Sequence, residues 1–200
     1  RLIKIGIPSN DILKTYNKSE NHILCITNFL ANHWVKLDSC PLRVDENYVE
    51  NLGLVELQRE FNKKVIFKIK TRKDNPNPNE DIDYMRSIIN PYLDYEIVMD
   101  VEDDNLLISN SLIVISPAST LAFKSIQQGI PTVLINKAGI LGQFHNYRGL
   151  VDLNTQQIFD EMERQYKSGK ESDFIEKTIE GGLDFTSTDK CVNQIMSILQ

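Results

Sequence analysis

Short apolar runs alternate along this chain with segments whose apolar residues recur at helical spacing. The short runs are rich in Val and Ile, and this length and composition predict β-strands. Their bounds are Leu2–Ile7, His22–Phe29, Lys63–Lys70, Tyr95–Asp100, Ser111–Ser116, Pro131–Asn136 and Gly149–Leu153. Between Ser111 and Ser116 every residue is apolar and β-branched or Leu, which is typical of a strand buried on both faces of a parallel sheet.

The segments between these runs predict helices. In Asn47–Asn62, for example, Leu54, Leu57 and Phe61 follow one another at spacings of three and four residues. Further helices are expected at Asp81–Leu93, Val101–Asn110, directly after Ser116, at Thr155–Gly169 and at Thr188–Gln200. Strands that alternate with helices in this way form βαβ units. We therefore expect one α/β domain over residues 1–200, a three-layer Rossmann-like domain with a mostly parallel sheet.

Composition narrows the classes of protein that this domain can belong to. The chain has 200 residues, of which 41% are hydrophobic and 25% charged, and its net charge is -6. This acidic balance argues against a partner such as nucleic acid, which is bound through a broad basic face. The three cysteines, Cys25, Cys40 and Cys191, are far apart and the histidines do not cluster. We therefore expect a reduced, cytoplasmic setting, without a disulfide framework or a metal site.

Two features of the chain concern its extent and its relation to membranes. No apolar run approaches the roughly 20 residues that a membrane-spanning helix needs. The sequence begins at Arg1, without Met, and leads at once into a strand-like run. We expect from this that the chain is a fragment of a longer protein.

Ligands of open parallel sheets bind beyond the carboxyl ends of the strands, so side chains that follow a predicted strand are candidates for ligand binding. In "SPAST" (Ser116–Thr120) hydroxyl groups follow a buried strand and begin a helix, an arrangement that suits a phosphate. Basic and amide side chains follow other predicted strands and could neutralise or contact the same anion. The candidate ligand-binding residues are Asn28, Lys68, Lys70, Arg72, Ser116, Ser119, Thr120 and Arg148.

Each of these assignments has a structural alternative. Ser116, Ser119 and Thr120 could cap a helix and fill a turn, and Lys68 and Lys70 could be a solvated strand edge. The chain also lacks the glycine-rich loops Gly-x-Gly-x-x-Gly and Gly-x-x-x-x-Gly-Lys-Ser/Thr. Binding of NAD and the chemistry of P-loop nucleotide triphosphatases are therefore disfavoured.

Five segments, in order, carry a resemblance to a known family. They are "IKIGIPSNDIL" with Gly6, Pro8, Asp11 and Leu13, "HILCITNF", "VIFKIKTR", the long stretch from Asp104 to Ile135, and "YRGLVDL". In this order they resemble the C-terminal nucleotide-binding domain of GT-B glycosyltransferases. The most similar branch contains the CDP-glycerol glycerophosphotransferases and the capsule and surface-carbohydrate transferases.

The resemblance implies that the chain is the donor-binding half of a two-domain transferase of cell-surface polysaccharide synthesis. The donor would be a nucleotide-linked sugar or glycerol, and neither a metal nor a further cofactor would be needed. Its diphosphate would rest on Ser119 and Thr120, and Lys70 is the one candidate for a catalytic role. An N-terminal GT-B domain would supply the remaining groups. The resemblance also implies a cytoplasmic location, with peripheral association at the inner face of the membrane as an open alternative.

Three positions depart from the pattern of that family. Lys70 and Thr71 replace a His-Pro pair, and Lys124 stands where many members carry a glutamate that grips the donor ribose. Two alternatives therefore stay open beside the transferase. One is an enzyme similar to the UDP-sugar 2-epimerases, and the other is a non-catalytic nucleotide-binding module.

Overall fold

Six parallel strands form one sheet in the computed structural model of the chain. The structure describes residues 16–27, 44–69, 77, 79–99, 101, 103–136, 147–168 and 187–199. The strands are β1 (His22–Thr27), β2 (Lys64–Ile69), β3 (Tyr95–Val98), β4 (Ser111–Pro117), β5 (Thr132–Asn136) and β6 (Leu150–Asp152). Their spatial order is β3-β2-β1-β4-β5-β6, and all five neighbouring pairs are parallel. This is the order of a doubly wound Rossmann sheet.

Helices cover both faces of this sheet. They are α1 (Glu46–Asn51), α2 (Leu54–Phe61), α3 (Asn79–Ile88), α4 (Asp104–Ser109), α5 (Thr120–Gln127), α6 (Thr155–Ser168) and α7 (Ser187–Leu199). Buried residues of α1, α2, α3 and α6 pack with one set of strand side chains, which includes Ile23 and Phe67. Residues of α4 and α5 pack with the alternate set, which includes Leu24 and Leu134. The three-layer, Rossmann-like architecture expected from the sequence is thus confirmed.

The two central strands are the most deeply buried elements. All residues of β1 and β4 are buried, and Ile23, Ile113 and Ile115 are completely inaccessible. Burial on both faces explains why these strands are continuous apolar runs and not alternating ones. Each such side chain contributes about 1.5–3 kcal/mol to folding when it is removed from water. The sheet centre is therefore a rigid support for the loops at its two ends.

The helix predicted over Asn47–Asn62 is broken in the middle. Gly53 has φ +64°, a left-handed conformation that ends α1 and precedes α2. A Cβ atom on Gly53 would lie 2.2 Å from Cγ2 of Thr155, so α6 also requires a glycine here. The hydroxyl of Thr155 donates to the carbonyl of Asn51 at 3.0 Å. The break thus fixes the α1–α2 corner against the start of α6.

The amino end of β5 is held by side chains of α6. Gln165 Oε1 accepts from the N–H of Thr132 and Gln165 Nε2 donates to its carbonyl, both at 2.7 Å. Tyr147 donates its hydroxyl to the same carbonyl at 2.6 Å. On the outer strand, the N–H of Asp152 donates to Gln157 Oε1 at 3.0 Å. Glutamine side chains thus complete the hydrogen bonding of main-chain groups in β5 and β6.

A segment without regular secondary structure, Tyr16–Asn21, runs along α4 and reaches the end of α5; we call it the strap. At one end the Tyr16 hydroxyl donates to Asp103 Oδ2 at 2.6 Å. Further along, Lys18 Nζ donates to the carbonyl of Gly129 at 2.8 Å, just after α5. Asn21 donates its N–H to the carbonyl of Asn110 at 2.7 Å, just after α4. The strap therefore ties the carboxyl ends of both helices.

Helix α7 contributes no residue to the buried clusters seen in the described parts of the chain. Its residues Val192, Ile195 and Met196 are each more than half exposed.

The strand predicted at Leu2–Ile7 lies outside the described residues. Within the described residues, no helix is long and apolar enough to cross a membrane.

Candidate anion-binding site

Helix α5 begins at the switch point of the sheet, between β1 and β4, where the strand order changes direction. Strands β2 and β3 follow β1 to one side, and β5 and β6 follow β4 to the other. A crevice opens between the carboxyl ends of β1 and β4 in sheets of this topology. The segment Pro117–Thr120 leads from β4 into α5 at this crevice.

Ser119 and Ser116 shape this turn. Ser119 has φ -152° and ψ 164°, and its Oγ accepts from the N–H of Ala122 at 3.0 Å, so it is the N-cap of α5. Ser116 is fully buried, and its hydroxyl donates to the carbonyl of Pro117 at 2.6 Å. The two hydroxyl oxygens are 3.2 Å apart. Both serines are thus engaged in local structure, in agreement with the helix-cap alternative for these residues.

Thr120, the first residue of α5, is exposed. Within the described part of the chain, no hydrogen bond engages its hydroxyl or the backbone N–H groups of Thr120 and Leu121. Unpaired N–H groups and the positive end of the helix dipole favour an anion at such a position. Of the three predicted hydroxyl residues, Thr120 is therefore the most exposed and the one whose hydroxyl no described residue engages.

Lys68 lies near the carboxyl end of β2 but is held by protein groups. Its ammonium donates to the carbonyl of Met99 and lies 3.7 Å from Oδ1 of Asp104. The Lys68 side chain is only 12% exposed. It does not form a solvated strand edge, and its positive charge serves first to hold the start of α4 against β2 and β3.

Arg148 is not brought together with Ser119 and Thr120. It is exposed and directly precedes Gly149, whose carbonyl accepts from Leu134 of β5. Because β6 runs parallel to β5, residues before β6 lie at the amino ends of the strands. Arg148 therefore lies at the amino ends of the strands, whereas α5 begins at their carboxyl ends. The other predicted residues, Asn28, Lys70 and Arg72, lie outside the described residues.

A small polar cluster occupies the start of α4, beside α5. Asp103 caps α4 by accepting from the N–H groups of Asn105 and Leu106, as expected for acidic residues at a helix start. The hydrogen bond from Tyr16 lowers the pKa of Asp103, and the positive charge of Lys124 adds to this effect. The positive charge of Lys124 on α5 is thus within electrostatic range of Asp103 at the start of α4. Sequence patterns gave no signal for Tyr16, which meets Asp103 only through the fold.

No group of three or more potential metal-ligating His, Cys, Asp or Glu side chains is found among the residues that the structure describes. Cys25 is fully buried, and burial raises the pKa of its thiol to about 12, so it is not a nucleophile in the folded chain. Among the described residues at the carboxyl ends of the strands, the groups that are open to a ligand are the Thr120 hydroxyl and the backbone N–H groups of Thr120 and Leu121.

Comparison of the whole fold identifies similar solved structures. A protein assigned as a UDP-N-acetylglucosamine 2-epimerase from Listeria monocytogenes matches with a TM-score of 0.61 at 13% identity, over 98% of this chain and 53% of its own. The UDP-N-acetylglucosamine 2-epimerase of Methanocaldococcus jannaschii, in complex with UDP-N-acetylglucosamine and UDP, matches with a TM-score of 0.55 at 10% identity, over 96% and 54%. The enzyme of Rickettsia bellii has a TM-score of 0.51 at 13% identity, over 94% and 47%.

The fold is GT-B-like. The matched structures support the Rossmann-like class expected from the sequence, whereas the CDP-glycerol transferase branch finds no support among them. The chain spans about half the length of these structures. No family model matches the sequence, and no curated protein matches it. At these identities the likeness establishes the fold alone.

Proposed function

We propose that the chain binds the diphosphate of a UDP-sugar at the start of α5 and is part of an enzyme related in activity to the UDP-sugar 2-epimerases. The observation that carries this proposal is the exposed Thr120 hydroxyl together with the N–H groups of Thr120 and Leu121, which no described residue engages, at the switch point of the sheet. The nucleotide-sugar part is supported by the similar structures, one of which holds UDP-N-acetylglucosamine and UDP.

The residues of the turn would contribute to anion binding in different ways. Ser119, through its bond to the N–H of Ala122, sets the direction of α5 and leaves the first two N–H groups available. The Thr120 hydroxyl would donate a further hydrogen bond to a phosphate oxygen. The positive end of the helix dipole would add to the affinity, because hydrogen bonds to charged oxygens are about twice as strong as neutral ones.

Epimerisation is placed ahead of transfer because the fold is shared with named 2-epimerases over nearly the whole chain. Group transfer from a nucleotide-linked sugar or glycerol is the second candidate, and the order of sequence segments shared with the transferases favours it. Both reactions begin with an anchored diphosphate. The groups that move protons or accept the sugar would come from outside the described residues, including the half of the fold that the similar structures have in addition.

The binding site can be tested with Thr120→Pro. Proline is favoured at the first position of a helix, and the extended backbone of Ser119 is compatible with a following proline, so α5 should be retained. The substitution removes one N–H group and the hydroxyl. We expect the affinity for UDP, measured by calorimetry, to fall at least about tenfold, since hydrogen bonds to charged groups contribute roughly 1.5–3 kcal/mol.

Glu46→Pro is a matched control, because Glu46 is the first residue of α1 and follows an extended N-cap residue, Asp45. It should leave UDP affinity unchanged. Equal affinities for wild type and Thr120→Pro, or no saturable UDP binding by the wild type, would contradict the proposed site.

The reaction is tested separately with the full-length protein. With UDP-N-acetylglucosamine alone, a 2-epimerase forms the N-acetylmannosamine epimer, either linked to UDP or free, which proton NMR resolves. A transferase leaves this substrate unchanged until an acceptor is added. Binding without any turnover of UDP- or CDP-linked donors would favour the non-catalytic module.

A further inference from the structure

A cavity of about 270 Å³ opens at the amino ends of the strands, whereas α5 begins at their carboxyl ends. It lies between the end of α5, the amino ends of β4 and β5, and the end of α6. Its lining includes Leu112, Ile126, Ile130, Tyr166, Lys18 and Glu20. It contains none of the residues assigned to the anion-binding site, so it is independent of the proposed function.

The size of this cavity defines a narrow class of ligands. It is larger than the roughly 150 Å³ cavity that is known to hold benzene in a protein core. It is slightly smaller than the about 300–1,000 Å³ of pockets that bind drug-sized molecules. A nucleotide-sugar is too large for it, whereas one ring or one branched alkyl group with a small polar end would fit.

The wall of the cavity is mainly apolar, and the neutral polar side chains in it are bonded within the protein. Ser111 donates its hydroxyl to the carbonyl of Leu107 at 3.0 Å, and the amide of Gln165 is bonded to Thr132. The Tyr166 hydroxyl donates to the carbonyl of Leu112 at 3.1 Å, and the Tyr147 hydroxyl donates to the carbonyl of Thr132 at 2.6 Å. With their polar ends engaged, both rings present carbon to the cavity, as do Ile126 and Ile130. The interior therefore suits an apolar group and offers it well-ordered walls.

The mouth of the cavity carries one charge of each sign. Lys18 and Glu20 are both exposed residues of the strap and both line the cavity. Glu20 has φ +47°, a conformation that side chains other than glycine rarely adopt. Its neighbours hold it there, because Ser19 and Asn21 donate their N–H groups to the carbonyls of Ser109 and Asn110 at 3.3 and 2.7 Å.

The carboxylate of Glu20 also lies close to the cavity wall. Burial raises the pKa of Tyr166, and the negative charge of Glu20 raises it further. The left-handed conformation thus presents a carboxylate beside an aromatic wall, and Lys18, tied to Gly129, brings a positive charge to the same opening. A pinned, strained residue at a cavity mouth is the kind of feature that proteins retain at functional sites.

We propose that this cavity binds a small zwitterion with an apolar side chain, the chemistry of a free α-amino acid such as phenylalanine or leucine. The side chain occupies the space between Ile126, Ile130 and Tyr166. The ligand ammonium lies towards Glu20, and the ligand carboxylate lies towards Lys18. Both charges are required for full affinity, so single-charge analogues bind more weakly.

Calorimetry and ligand-observed NMR with L-phenylalanine and L-leucine test this proposal directly. The matched probes are phenylacetate, which keeps the carboxylate, phenethylamine, which keeps the amine, and benzyl alcohol, which has neither charge. We expect saturable binding of the amino acids and at least about fivefold weaker binding of the three analogues. No saturable binding of any apolar amino acid, or benzyl alcohol binding as tightly as phenylalanine, would overturn the proposal.

Two variants locate the site. Ile126→Trp fills the cavity and should abolish binding, and Glu20→Gln removes one charge at an exposed position and should weaken phenylalanine at least about fivefold. Glu56→Gln, an exposed helix residue away from this edge, is the control and should bind like wild type. If Ile126→Trp fails to fold, Glu20→Gln still decides, because unchanged phenylalanine affinity in that variant contradicts the proposal.

Discussion

The side-chain amide of Gln165 replaces a neighbouring strand for one residue of β5. It accepts from the N–H of Thr132 and donates to the carbonyl of the same residue, both at 2.7 Å. Thr132 is completely buried, so these main-chain groups have no access to water. A buried main-chain group that loses its partner keeps its full desolvation cost.

Gln165→Leu should therefore destabilise the chain by roughly 1–3 kcal/mol, because the buried N–H of Thr132 loses its partner, whereas the carbonyl keeps its bond from the Tyr147 hydroxyl. Urea unfolding followed by circular dichroism measures the change. Gln157→Leu is the matched control, since Gln157 is exposed and, among the described residues, its side chain is bonded to the N–H of Asp152 on the outer strand of the sheet. Its loss should cost less than about 1 kcal/mol. Equal losses in the two variants would contradict the role of Gln165.

Gly53→Ala should destabilise the chain by about 2–4 kcal/mol. The left-handed backbone contributes about 1–2 kcal/mol of this, and the overlap of the new methyl group with Thr155 contributes the rest. Thr155→Ser removes the nearest atom, Cγ2, and keeps the hydroxyl that bonds Asn51. In thermal unfolding, Gly53→Ala should therefore cost less in the Thr155→Ser background than in wild type. Identical costs in both backgrounds would show that overlap with Thr155 plays no part.

Stability should fall as the pH drops below about 6.5, through the titration of His22. Burial lowers the pKa of His22 below its usual value of 6.5, although the carbonyl of Leu107 and the charge of Glu96 oppose this. Nε2 of His22 lies 3.0 Å from the hydroxyl of Ser111 in the buried core. Below 6.5 the unfolded chain therefore takes up the proton more readily than the folded one, and the stability present above 6.5 is lost as the pH falls through the folded pKa.

The free energy of unfolding, measured in urea at pH 5 to 8, should therefore decrease towards pH 5 in wild type. His22→Gln should lower stability at pH 8 and should flatten the dependence between pH 7 and 5. An unchanged slope in this variant would assign the pH dependence to other groups.

Substitutions at Ser119 and Thr120 should distinguish a role in the stability of α5 from a role in ligand binding. Ser119→Ala removes the cap of α5 and should lower stability by about 1 kcal/mol. Thr120→Val should change stability by less than about 0.5 kcal/mol, because the hydroxyl is exposed. Thermal unfolding with and without UDP measures both effects. If UDP raises the melting temperature of Thr120→Val as much as that of wild type, the hydroxyl does not contact the ligand.

The strands could be predicted from the sequence because burial on both faces leaves a continuous apolar signature, clearest in β4 and β1. The break at Gly53 could not, since the apolar spacing of α1 and α2 reads as one helix and the left-handed turn depends on contact with Thr155. The cap formed by Ser119 follows from residue type and position, and it was one of two predicted alternatives. Whether Ser119 and Thr120 also hold a ligand stays a prediction.

Long-range geometry separates Arg148 from the other predicted site residues and gives Lys68 partners that the sequence did not indicate. Arg148 follows β5 along the chain, so the sequence groups it with residues at the carboxyl edge. The structure places it before β6, at the amino edge, because a parallel neighbour has to start where β5 starts. Lys68 is at the predicted edge, but its partners Met99 and Asp104 belong to distant segments and leave no local signal.

The hydrogen bond from the N–H of Asp152 to the side chain of Gln157 has a consequence for association between chains. Exposed edge strands can act as templates on which another polypeptide adds as a further strand, the first step of many aggregation reactions. Within the described sheet, the outermost strand at one side has three residues, and the N–H of Asp152 already donates to Gln157. At the other side β3 has four residues, with the charged Glu96 among them. Both borders of the sheet therefore discourage fibril-like growth.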